Sequence, residues 1–170
     1  HQDVAASVLA AQTLANEPRL LVAVVPAVGD ASPCAVVAHV VSSWLVAMRT
    51  GRAFAVEGEV ARLASQLAVR GFRLEKRRAS LELNSVLARM RLTRPVLAKH
   101  YGEEHVAASK LQAFLEADQA MGNVDALFRG SAVFVSLGGD KEPYWGRALA
   151  RKVGVTFSEA TRFLYPGLGI

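Results

Sequence analysis

Nine of the chain's twenty basic residues fall within one stretch of thirty. Arg70, Arg73, Lys76, Arg77, Arg78, Arg89, Arg91, Arg94 and Lys99 lie there, opposed only by Glu75 and Glu82, so positions 70–99 carry +7 while the whole chain carries +5. The last thirty residues add +3, and everything else sums to −5. Charge segregated in this way marks a face that meets a polyanion. Guanidinium and ammonium groups along one helix side neutralise phosphates and give salt-sensitive, largely sequence-independent affinity. Phe72 and Tyr101 are the aromatic residues beside these cations, too few for a platform that stacks single-stranded bases.

A second candidate lies at 146–165, GRALARKVGVTFSEATRFLY. Ala150 is a small residue where two helices would cross, and Gly154, four residues on, suits a tight turn. Leu149, Val153, Val155, Ala160 and Phe163 fall at the buried positions of such a hairpin. Thr156, Phe157, Ser158, Thr161 and Arg162 fall on the outer face of its second helix, and Arg151 and Lys152 add charge. The pattern resembles the helix-turn-helix of bacterial repressors. That resemblance implies a second helix lying in the major groove of DNA.

Catalytic and metal chemistry have weaker claims. Cys34 is the sole cysteine, which rules out an intrachain disulfide and a cysteine-based zinc cluster and fits a reducing compartment. His1, His39, His100 and His105 show no metal spacing; the trio His100, Glu104 and His105 reads as exposed cap residues. His39, within an apolar run, reads as a hydrogen-bonded core histidine. There is no nucleophile elbow and no P-loop, and Gly138-Gly139-Asp140 is too short to cradle phosphate alone. Neither an enzyme nor a cofactor is expected. DALFRG (125–130) and YWGRALA (144–150) are similar to pieces of the signature of Bcl-2-type proteins, which implies a groove for a partner helix.

The elements that would carry these groups read as helical. With 52% apolar and 21% charged residues over 170 positions, the chain is one globular domain, 1–170. Ser32–Pro33 opens a helix and Gly51 closes it, giving an apolar span over 33–50 that belongs at the centre of a bundle. The uncharged run 31–48 would span only about 24 Å as a helix, too short for a bilayer core. Further helices are expected over 3–15, 56–70, 73–92, 93–102, 103–121 and in two pieces of 143–165. PRLLVAVVPAVGD (18–30) reads as a short strand or a buried helix, and SAVFVSLGGD (131–140) as an extended segment or a helical turn.

The expectation is therefore an all-α protein, a compact bundle of six to eight helices around 33–50 with a helix-turn-helix-like hairpin at its end. Its expected work is non-enzymatic nucleic-acid binding, DNA ahead of RNA, as a regulator or a viral nucleocapsid-type packaging protein, with self-association an option. An intracellular site, cytoplasmic or nuclear/nucleoid, and no membrane span accompany that reading. The alternative is a helical interaction module that receives an acidic or amphipathic protein helix.

Overall fold

The computed structural model describes residues 19–25, 33–58, 82–116, 128, 130–137, 145 and 156–164. Along them strands and helices alternate: β1 (Leu20–Val24), α1 (Pro33–Thr50), β2 (Ala53–Glu57), α2 (Leu83–Arg89), α3 (Arg94–Tyr101), β3 (Glu103–Ala107), α4 (Ala108–Glu116), β4 (Ala132–Ser136) and α5 (Phe157–Leu164). The strands form one sheet in the order β2-β1-β4-β3, and every pairing is parallel. Glu82 adds an isolated parallel bridge to Val56.

The sheet is covered on both faces. Leu21, Ala23, Phe54, Val56, Val106, Val133 and Val135 share one core with α1, Trp145, α5 and the start of α4. Leu20, Val22, Ala53, Ala55, Ala132 and Phe134 share the other with α2, Met90 and Leu97 of α3. One handedness explains the layering. β1→α1→β2 and β3→α4→β4 step the same way across the sheet and place their helices on the same face. The return from β2 to β3 steps the other way and uses the opposite face. Strand crossovers of a single hand require this arrangement.

An all-α bundle is thereby overturned, and with it the description of the chain as a helical bundle. The cause is physical. A strand buried on both faces shows a continuous apolar run instead of alternation, and over five residues that run has no period to distinguish it from a helix. Of AFAVE (53–57), Val56 and Glu57 fall in the helix expected over 56–70, and the three residues before them fall in no expected element. EEHVA (103–107) runs into α4 with no turn residue between them, and so passes for the first turn of one long helix. PRLLVAVVPAVGD and SAVFVSLGGD resolve as strands at 20–24 and 132–136.

Local signals placed the helices better. α1 runs from Pro33 to Thr50, and Gly51 ends it at φ 66°. Thr93 caps α3, its Oγ1 accepting from the Val96 N–H, with Pro95 in the first turn and Gly102 beyond the end. The helix expected over 3–15 lies outside the described residues, as do 59–70 of the helix expected over 56–70, 73–81 of that over 73–92, 117–121 of that over 103–121, and all but Trp145 of the first piece of 143–165. No described helix is long and apolar enough to cross a membrane.

Two glycines separate conformational strain from steric exclusion. Gly51 (φ 66°) has open space where a Cβ would stand, whereas at Gly58 (φ 138°) a Cβ would lie 2.3 Å from the Val25 carbonyl oxygen. Gly51→Ala should therefore cost about 1 kcal/mol, and Gly58→Ala roughly 2–4 kcal/mol. Urea unfolding of the two variants measures the difference.

Candidate functional site

Because all four strands are parallel, their carboxyl ends share one edge. Val24, Glu57, Ser136 and Ala107 stand in register there. In open parallel α/β sheets this is the edge outside which ligands bind. α4 begins at it directly, Ala108 following Ala107, and α1 packs with its first half beside it. Neither α1 nor α4 has an acidic residue in its first turn, so the positive ends of their dipoles are not offset by a carboxylate of that turn. The other helices are capped by their own side chains. Glu82 accepts from the N–H groups of Asn84 and Ser85 at α2, and Thr93 caps α3. At α5, Thr156 and Glu159 exchange two 3.1 Å bonds as a capping box.

His39 fastens α1 to this edge. Its ring is fully buried. Trp145 Nε1 lies 3.2 Å from Nδ1, and the Val135 carbonyl lies 3.2 Å from Nε2. An indole nitrogen can only donate, so Nδ1 accepts and the proton sits on Nε2, where it donates to Val135. Burial lowers the ring's pKa from 6.5 to about 4, against the opposing pull of the Val135 and Val24 carbonyls. With both nitrogens engaged and no exposure, His39 is a core tie, as its apolar setting suggested, and is not placed to act as a general base.

Arg52 does the matching work at the amino end. It is 4% exposed. Its Nη1 donates to the carbonyls of Leu20 (3.5 Å), Gly130 (3.3 Å) and Ser131 (2.9 Å), and its guanidinium lies 5.1 Å from the centre of the Phe128 ring. Sequence reasoning passed over Arg52 and the partners of His39. A lone Arg between Gly51 and an apolar run was the available signal for the first; no signal in the sequence links positions 39, 135 and 145.

Of the predicted cations, the structure describes the side chains of Arg91, Arg94, Lys99 and Arg162. Arg70, Arg73, Lys76, Arg77 and Arg78 lie outside the described residues, as do Arg151 and Lys152 and the side chain of Arg89. Arg91 and Lys99 are exposed. Arg91 takes φ 57° as the left-handed residue after α2. Around it the Arg91 N–H bonds to the Ala88 carbonyl and the Leu92 N–H to the Leu87 carbonyl, a Schellman turn in which Gly is the usual occupant. Arg94, also exposed, is engaged by the protein itself. It pairs with Glu57, approaches Glu103 at 3.8 Å, and lies over Phe134 at 5.1 Å from the ring centre.

The proposed cap trio separates too. His105 stacks on Phe134 at 5.0 Å and lies 3.7 Å from Glu103. Glu104, its neighbour along the strand, turns to the opposite face and accepts from the Gly130 N–H at 3.2 Å. Alternation along β3 therefore parts Glu104 from His105, and the His100 side chain lies outside the described residues. No group of three metal-ligating side chains occurs among the described residues.

The hairpin's second helix exists as α5, but part of its expected outer face is interior. Thr161 is buried and Phe157 half-buried against the first core, Ala160 is buried as expected, and the Thr161 hydroxyl donates to the Phe157 carbonyl at 2.9 Å. Thr156, Ser158 and Arg162 remain exposed. α5 is a cover for α1 in the first core, so Thr161 is unavailable to a DNA base.

Comparison with known proteins gives no match: no family model fits the chain, and no curated protein or solved structure resembles it significantly.

The Arg52 arrangement needs a planar fork. Arg52→Lys keeps the charge but loses the fork and the flat contact with Phe128, and should lower unfolding free energy by about 2 kcal/mol. Chemical denaturation reads this directly, with Arg162→Lys, an exposed position, as the control expected to change little.

Proposed function

We propose that this chain binds a phosphate-bearing small molecule of nucleotide type at the carboxyl edge of its sheet. The observation that carries the reading is the all-parallel, doubly covered sheet, with α1 and α4 starting at that edge and no acid in their first turns. Backbone N–H groups at helix starts hold anions without needing a dedicated side-chain motif, which accords with a sequence that has no P-loop. The net charge of +5 favours an anionic ligand at a distance.

A second reading keeps the nucleic-acid backbone as ligand. It is favoured by the +7 of positions 70–99 and by Arg91, which holds a charged side chain in solvent at a backbone position suited to Gly. In that reading the basic stretch makes phosphate contacts and α5 takes no part in reading bases.

Fluorescence anisotropy with labelled mononucleotides, a random DNA duplex and an RNA of equal length separates the two. Ser136→Tyr fills the carboxyl edge at an exposed position and should weaken mononucleotide binding by about tenfold or more with little change in melting temperature. Arg91→Gly with Lys99→Gln should leave it unchanged. If the basic stretch is the site, the pattern reverses. The duplex then binds with a steep salt dependence, and losing two phosphate contacts lowers the log–log slope by about 2. An absence of mononucleotide binding by the intact chain at low salt defeats the first reading. An absence of duplex and RNA binding defeats the second and leaves a protein helix as the partner to seek.

A further inference from the structure

We infer that Trp145 and His39 form an acid-released latch, in which protonation of the imidazole expels the Trp145 indole from the core while the sheet stays folded. The inference stands apart from the ligand reading and rests on donor and acceptor geometry. Nδ1 of His39 accepts from Trp145 and Nε2–H donates to Val135. A second ring proton can go only on Nδ1, where it would face the indole N–H, donor against donor. The charged ring would also remain in a site with no exposure, which is costly without a counter-charge.

No such counter-charge is present among the described residues. β1 and β4 are uncharged along their whole length. On α1 the ionisable neighbours, Cys34 and Arg49, are exposed. On α5, Glu159 caps its own helix and Arg162 is exposed. Glu57 at the end of β2 pairs with Arg94 on the other face. Two further features make a local release feasible. Trp145 enters the first core from outside the described strands and helices, and its bond to that core is to His39, which with Val135 sits on elements, α1 and β4, that share the core.

The sign follows from the lowered pKa. The latched ring takes a proton only near pH 4, whereas a released ring takes it near 6.5. The contribution of the latch is whole above pH 6.5 and is lost as the pH falls through about 4. Between those limits the released form gains about tenfold in population for each pH unit.

The chain has two tryptophans, Trp44 and Trp145, and Trp44 lies in the same core. The two indole N–H signals of the intact chain can be followed by NMR from pH 7.5 to 3.5, with Trp145→Phe assigning them. The expected result is a shift and faster solvent exchange of the Trp145 signal below pH 6.5 while the Trp44 signal holds its position. In His39→Gln the amide can still donate to Val135 and accept from Trp145 but does not titrate, and the transition should vanish. A Trp145 signal unchanged to pH 3.5 overturns the latch. So does simultaneous loss of both indole signals, or a transition that persists in a folded His39→Gln chain. Should that variant fail to fold, the wild-type titration against Trp44 decides alone.

Discussion

A buried guanidinium and a buried imidazole hold the two ends of the β1–β4 pair. Arg52 gathers carbonyls where the two strands begin, and His39 ties α1 and Trp145 to β4 near where they end. Between these ends the strands are almost wholly buried, Leu20 to Ala23 and Ala132 to Val135 showing about 1% exposure or less. Strand backbone away from water must have every N–H and C=O paired. In a parallel pair the ladder leaves groups over at both ends, and each end here receives a side chain with the donors it needs. β2 and β3 add to that pair, and the helices of both faces close over it.

This arrangement divides the molecule into a dry centre and two different margins. β2 is buried along Ala53–Val56, whereas β3 exposes His105 and Ala107. On β3, charged and aromatic groups substitute for a covering helix: His105 stacks on Phe134, and Arg94 spans from Glu57 toward Glu103 across the same ring. An Arg read from sequence as a phosphate contact is therefore part of the sheet's cover. Surface pairs of this kind contribute about 1 kcal/mol or less each. Their effect is to seal Phe134 more than to add stability.

What the sequence made legible follows from the range of each signal. α1 and α3 run between signals written in a few adjacent residues: Pro33 and Gly51, Thr93–Pro95 and Gly102. The central apolar character of 33–50 was legible as well, though it packs against a sheet instead of other helices. The strands were legible only in part: 20–24 and 132–136 stood open between strand and helix because a short apolar run in a parallel sheet carries no alternation, and β3 fuses with α4 without a turn. The outer face assigned to α5 failed at Thr161 because the side of a helix that faces inward depends on α1, more than a hundred residues earlier. The carboxyl edge is wholly a product of strand order, and strand order is a long-range property.

The measurement that tests this account most directly is backbone amide hydrogen exchange on the intact chain. The amides of Leu20–Val24 and Ala132–Ser136 should exchange last, at the limit set by global unfolding, with those of Glu103–Ala107 exchanging sooner. Rapid exchange throughout 20–24 and 132–136, with durable protection confined to 33–50 and the other helices, would contradict it.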